Sequence, residues 1–307
     1  MPRRTVALLL LATAAALETL HLSNKRSCLF HAPEETTTPV PLVVVLHGYN
    51  VEPLNTLDFY FSDLKRLAEE RGLAIAAPRG RRLGARGNDG SLCWAAGACC
   101  CRTKTKDDAD VAFIDEVVEA VRRRAAISAL VLVGHSNGGS LALRVACARR
   151  DVEGLAIFNA PLTYDCAVPA TRLYLRHGAA DAMLGGRDAS RVAHPHVPGV
   201  GVRETVARFT RANGCAGAVE SNVTQAAHAW DALAPRALVR RSEHRNCAAP
   251  VVFDVVDELG HWPSFGLLQT DLRAPLLFAI YGEPIAAADD DPHDECRRAI
   301  PPTWKPA

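Results

Sequence analysis

The sequence predicts an α/β fold with a mostly parallel central sheet and helices on both faces. Three observations predict it. Short apolar, β-branched runs recur along the 307 residues, and each has the length of a strand buried on both faces. Helix-like segments fall between them, as the crossovers of a parallel sheet require. One run passes directly into a helix-like stretch through Gly134-His135-Ser136-Asn137-Gly138. Gly-x-Ser-x-Gly between a strand and a helix is the setting of a nucleophile elbow.

The elements follow in order. Pro41 to Leu46 is a continuous apolar strand that ends in His47-Gly48-Tyr49-Asn50. Ser62 to Arg71 reads as a helix with Leu64, Leu67 and Ala68 on one stripe, Ser62 as its cap and Gly72 as its stop. Leu73 to Ala77 is the next strand. Residues 79–106 form a long irregular region, rich in arginine and glycine and then in cysteine around Trp94. It reads as a loop stapled near the site, since long loops in compact domains tend to be functional. No Gly-x-x-x-x-Gly-Lys-Ser/Thr occurs in it, which excludes a phosphate loop of that type. Asp108 to Arg124 reads as a helix, with Asp107, Asp108 and Asp110 as negative charge at its start rather than a metal site. Ala129 to Val133 leads into the elbow, and Gly139 to Ala148 follows as a helix. Leu155–Phe158, Thr171–Leu175 and Pro250–Val256 are later strands. Glu204–Ala212 and Leu272–Tyr281 are later helices.

Composition bounds the function. The formal net charge is +1 and no long basic tract stands out, which speaks against a nucleic-acid partner held by phosphate contacts. Residues 1–16 read as a secretory signal. Arg3 and Arg4 precede a short apolar run, and small residues allow cleavage around positions 14–17. The run is short for a membrane span, so no span is expected after cleavage. Residues 17–285 read as one catalytic domain, and residues 286–307 as an acidic, then proline-rich tail. All ten cysteines lie beyond the signal, which suits disulfides in an oxidising compartment. Adjacent cysteines pair poorly, so each of Cys99, Cys100 and Cys101 is expected to find a distant partner or remain free. No paired Cys-x-x-Cys and His-x-x-x-His spacing points to a metal instead. Asn222-Val223-Thr224 is a glycosylation acceptor in the same vein.

A serine hydroxyl needs a base to take its proton and a third group to orient the base. Chain order Ser, Asp, His is that of the α/β-hydrolase arrangement, and this sequence supplies it. Ser136 is the candidate nucleophile. Asp181, in His177-Gly178-Ala179-Ala180-Asp181, follows one strand as the candidate acid. His261, in Gly260-His261-Trp262-Pro263, follows another as the candidate base. His177 reads as structural at its strand end. Backbone N–H groups of Tyr49 and Asn137 are the candidate oxyanion donors. Trp94 and Trp262 are the candidate substrate-binding residues, with packing as their other reading. No cofactor is called for.

Together these residues resemble the secreted polyhydroxybutyrate depolymerase and feruloyl esterase group of α/β-hydrolases. The resemblance runs from about Pro41 to Pro263. It rests on Val45-Leu46-His47-Gly48, Cys93-Trp94 with Gly97 and Cys99-Cys100, Gly134 to Gly139 with Ala146-Cys147, His177-Gly178-x-x-Asp181, Asn213-Gly214-Cys215 and Gly260-His261-Trp262-Pro263. It implies the triad Ser136, Asp181 and His261, and a disulfide between Cys215 and Cys247. It also implies a secreted esterase acting on a polyester or on a feruloyl or acetyl ester of plant polysaccharide. The sequence departs from the group in two places. Ala182 stands where proline commonly follows the aspartate, and Leu259 stands where a glycine is common, with Trp262 directly after His261. The second change shortens the loop that aims the imidazole and bears on the substrate cleft. A peptidase, a carbohydrate deacetylase or a catalytically silent binding protein are the alternatives on the same fold.

Overall fold

The computed structural model describes residues 17–33, 38–82, 90–97, 101, 108–184, 200–225, 237–261 and 272–285. Its strands are β1 (Glu18–His21), β2 (Ser27–His31), β3 (Val40–Leu46), β4 (Ala74–Pro78), β5 (Arg81–Arg82), β6 (Leu92–Cys93), β7 (Ile127–His135), β8 (Val152–Phe158), β9 (Arg172–Gly178), β10 (Val219–Gln225), β11 (Ala237–His244) and β12 (Val251–Val256). Its helices are α1 (Pro53–Asn55), α2 (Ser62–Arg71), α3 (Ala109–Arg122), α4 (Asn137–Ala148), α5 (Val202–Ala212) and α6 (Arg273–Tyr281). A π-helical stretch, Thr56–Tyr60, links α1 to α2.

Ten strands make one sheet in the order β1-β2-β4-β3-β7-β8-β9-β12-β11-β10. From β4 to β12 every neighbouring pair is parallel. The outer pairs at both ends are antiparallel. The central runs are apolar throughout because both faces are covered. In β3, Leu42, Val44 and Leu46 join the core under α3, α4 and α5, while Val43 and Val45 join the core under α2 and α6. Leu130 and Leu132 of β7 divide from Val131 and Val133 in the same way. Burial of such side chains stabilises the fold by roughly 1.5–3 kcal/mol each relative to exposure.

The predicted central elements appear with their ends moved by a few residues. α2 has the predicted bounds, but Ser62 is its first helical residue and does not cap it; Phe61 holds that position without a side-chain hydrogen bond. The four outer strands β1, β2, β10 and β11 were not predicted. Their sequences are short or charged because one edge or face meets solvent, so the continuous apolar signal is absent.

Asp110 supplies the expected negative charge in the first turn of α3. The Asp108 side chain makes no cap hydrogen bond to the helix and instead pairs with Arg144. Asp110 is fully buried. It accepts Arg26 Nη1 at 2.7 Å and the Ala95 backbone N–H at 2.7 Å, with Arg81 Nε at 3.1 Å. Three segments distant in sequence converge on this carboxylate, which needs them to offset its burial. Among the described residues the disulfides are Cys93–Cys101, Cys147–Cys166 and Cys215–Cys247, and Cys28 is buried and unbridged. Cys215–Cys247 is the pair the resemblance implied. Cys101 bridges a cysteine eight positions away. Cys99, Cys100, Cys296, the signal and the tail lie outside the described residues. Asn222 is exposed on β10, which pairs only with β11 among the described residues.

Candidate active site

The site lies at the carboxyl ends of the parallel strands, where loops from several strands meet. β7 delivers His135 and then turns sharply at Ser136, whose φ is 52° and ψ −123°. A non-glycine residue in such backbone is strained and persists only where its surroundings hold it. Here the Ser136 N–H donates to Phe158 O at 2.9 Å, and α4 begins at the next residue. The close approach depends on Gly138, where a Cβ would stand 2.2 Å from Leu46 O and 2.4 Å from His47 O. The end of β3 is thereby pressed against the elbow, and Gly48 lies against His135, the residue before Ser136.

Ser136 Oγ lies 2.7 Å from His261 Nε2. His261 Nδ1 lies 2.9 Å from Asp181 Oδ2. Asp181 Oδ1 accepts the N–H groups of Met183 at 2.9 Å and Leu184 at 3.0 Å. The structure thus brings the three predicted residues into one chain of hydrogen bonds. Burial works to raise the Asp181 pKa, but the His261 hydrogen bond and charge, with the Leu184 N–H, outweigh it and hold the carboxyl below its usual value. The fixed carboxylate sets the tautomer of His261 with the proton on Nδ1 and the lone pair on Nε2, facing the serine hydroxyl.

Two residues without a strong signal of their own in the sequence hold His261 from behind. Asn159 Nδ2 and His135 Nε2 both donate to His261 O, at 2.8 and 2.9 Å. Asn159 Oδ1 accepts the Gly178 N–H at 2.7 Å, so one amide ties the β8, β9 and β12 ends together. Asn159 sits at φ 48°, a conformation asparagine tolerates better than most residues. A polar residue directly after the strand ending at Phe158 was the available signal. A Cβ at Gly178 would meet Leu259 O at 2.2 Å, so the loops that carry Asp181 and His261 touch. Leu259, the departure from the group pattern, packs with Val239 and Val256, and its carbonyl accepts the Ala180 N–H at 2.9 Å.

As the first residue of α4, Asn137 has a backbone N–H without an intrahelical acceptor. Its side chain is turned inward, with Oδ1 accepting the Trp94 N–H at 2.7 Å and Nδ2 donating to Trp94 O at 3.0 Å. Tyr49 is exposed on the loop after β3. Trp94 corrects the sequence expectation. It is fully buried, and its indole N–H donates to His47 O at 2.9 Å. It packs beneath the β3 loop and has no surface with which to meet a substrate. Trp262 lies outside the described residues. His47 accepts the Gly80 N–H at Nε2, at 2.9 Å, and its Nδ1 donates to Gly48 O at 2.8 Å. Burial lowers its pKa to about 4, which keeps the ring neutral and both bonds in place. His177 is fully buried, with Nδ1 4.0 Å from Asp181 Oδ2. Among the described residues neither ring nitrogen has a hydrogen-bond partner, which fits the structural role expected of it.

No protein-family model matches the chain, and no curated protein does. Solved structures similar to it include a carboxylesterase from Bacillus cereus, 15% identical with a TM-score of 0.47, covering 80% of this chain and 90% of that one. An acetyl xylan esterase from Aspergillus awamori is 13% identical with a TM-score of 0.49, covering 82% and 96%. An S-formylglutathione hydrolase from Agrobacterium tumefaciens is 13% identical with a TM-score of 0.47, covering 80% and 88%. A mostly parallel sheet flanked by helices, with a strained serine between β7 and α4 and Asp181 and His261 following in that order, gives this chain the α/β-hydrolase fold.

Proposed function

We propose that the protein is a serine hydrolase of carboxylic esters. The observation that carries this reading is the hydrogen-bond chain Ser136 Oγ–His261 Nε2–Asp181, at 2.7 and 2.9 Å, on a strained elbow. Ser136 attacks the ester carbonyl while His261 takes its proton. Asp181 stabilises the imidazolium that forms. The N–H groups of Tyr49 and Asn137 hold the oxyanion. His261 then protonates the departing alcohol, and water, deprotonated in turn by His261, releases the acid from Ser136. The sequence resemblance extends the proposal to a polyester or a feruloyl or acetyl polysaccharide ester as substrate. Secretion is part of it: three disulfides favour an oxidising compartment, and no helix among the described residues is long and apolar enough to cross a membrane. Asn222, exposed in its acceptor triplet, is then available to a glycan.

The test is labelling by a fluorophosphonate probe and turnover of a short p-nitrophenyl ester, in wild type and Ser136→Ala. Wild type should label and turn over, and the variant should do neither, because triad members act as a unit. Turnover retained in Ser136→Ala would sink the assignment.

A further inference from the structure

A cavity of about 630 Å³ lies on the β4 side of the proposed catalytic centre, within the size range of ligand pockets. One wall is the segment Arg79-Gly80-Arg81-Arg82, which follows β4 at the same end of the sheet as Ser136. The Gly80 N–H donates to His47, so this wall stands one hydrogen bond from the loop that carries Tyr49. The opposite walls are the Ser23–Lys25 turn with Arg26, and the face of α3 that carries Phe113 and Glu116.

Among the described residues, the cavity gathers more cations than carboxylates. Arg26 and Arg81 share the buried Asp110. Arg79 and Arg82 share Glu52, and Arg82 is the looser of the two at 3.5 Å. Lys25 adds a fifth cation on the rim. Glu116 is the third carboxylate, and the Ser23 N–H and hydroxyl bind it. Among the described residues, five cations stand against three carboxylates. Asp110 is buried behind the guanidinium groups, and Glu116 is the carboxylate that lines the cavity itself. The Arg26 guanidinium is held 3.5 Å over the Phe113 ring. Burial lowers its pKa, and Arg81 pushes the same way against the pull of Asp110. A bound anion would relieve both. Guanidinium groups held in place by packing and ion pairs suit bidentate recognition of oxyanions, and the Ser27 hydroxyl at the cavity wall suits a hydroxyl-rich chain.

We propose that this cavity is a subsite for an acidic oligosaccharide, binding a carboxylate or sulfate borne by the chain whose ester reaches Ser136. Binding of the anion rests on the cavity; its role as a substrate subsite rests on the esterase reading.

The experiment is calorimetric titration of the full-length protein, and of its Ser136→Ala form, so that binding is read without turnover. The probes are trigalacturonate, a sulfated chondroitin disaccharide, inorganic phosphate and, as neutral control, maltotriose. At least one acidic sugar should bind saturably, maltotriose should not, and the affinity should fall as salt is raised. Lys25→Ala/Arg82→Ala, a change of two exposed cations, should weaken acidic-sugar binding by at least about tenfold, since one charge-assisted hydrogen bond alone carries about that much. It should raise KM for an acetylated galacturonate oligomer in proportion while leaving p-nitrophenyl acetate turnover unchanged. That unchanged turnover also reports that the variant folds; the single variant Arg82→Glu provides a second check. No binding of any anion, or equal binding by the double variant, would overturn the site. Binding of phosphate with neither sugar would overturn its assignment to a sugar chain. Absent esterase turnover in wild type would refute the catalytic reading and leave the titration result standing.

Discussion

Acid should destabilise this protein well above the pH at which its carboxylates titrate. The perturbation is a fall from pH 7 to pH 4. Burial, the largest cause in each case, lowers the pKa of His47 and His177 to about 4 and that of His135 to about 3, from 6.5. At pH 7 all three rings are neutral in the folded chain and mostly neutral in the unfolded one. Below pH 6.5 the unfolded chain binds protons that the folded chain refuses, so stability is lost as pH falls towards the folded values. At pH 4 each histidine therefore costs ~3 kcal/mol, and the three together roughly 9 kcal/mol. That is comparable to the whole stability of an ordinary domain, about 5–15 kcal/mol. Asp181, lowered in the folded state, contributes stability that is present above its ordinary value near 3.8 and disappears below it, so it acts in a separate, lower window. The assay is urea unfolding at a series of pH values from about 7.5 down to about 4, which begins one unit above the window and reaches its foot. His177→Leu, which removes a buried ring with no hydrogen-bond partner among the described residues, should keep its stability at pH 7 and lose about a third of the slope. A stability that stays level between pH 6.5 and 4 would refute the reasoning.

Further changes have definite expected outcomes. Asn159→Leu removes the donor to His261 O and the acceptor for Gly178 N–H. It should cost about 1–3 kcal/mol by thermal unfolding and lower kcat on a p-nitrophenyl ester more than it raises KM. Gly138→Ala places a Cβ 2.2 Å from Leu46 O and should abolish fluorophosphonate labelling in whatever fraction folds. Reduction or paired Cys→Ser replacement of Cys215–Cys247, which closes 32 positions, should lower stability by about 3–4 kcal/mol on the chain-entropy model. Trp94→Phe loses the indole bond to His47 O and should cost about 1 kcal/mol in thermal unfolding.

The centre of the fold was legible because β3, β7, β8, β9 and β12 are covered on both faces and must be apolar throughout. The outer strands were not legible. β11 carries Arg240, Arg241 and Glu243, and only the structure shows that Arg241 meets Asp254 with two bonds of 2.8 Å. Ser136, Asp181 and His261 were legible because each follows a strand in the order the chemistry needs. Asn159 and His135 were not, since a donor to a backbone carbonyl leaves no pattern in sequence. The sequence also leaves open whether Trp94 lines the cleft or packs, and the structure shows packing. An aromatic side chain beside a site looks the same in sequence whether it faces the substrate or, as here, the underside of a loop. Asp110 does supply charge at a helix start, and nothing in the sequence shows that it is also a buried junction of three segments.

His261 is fastened by its own carbonyl to Asn159 and His135, and the residue before its Gly260 neighbour, Leu259, is fastened to Ala180. Every one of these anchors lies at or before position 261. Among the described residues, the backbone of His261 is thus tied to the ends of β7 and β8, the same sheet that carries Ser136. Two side chains 125 positions apart in sequence therefore share one rigid frame, and their 2.7 Å separation is set by strand ends rather than by the loop on which His261 sits.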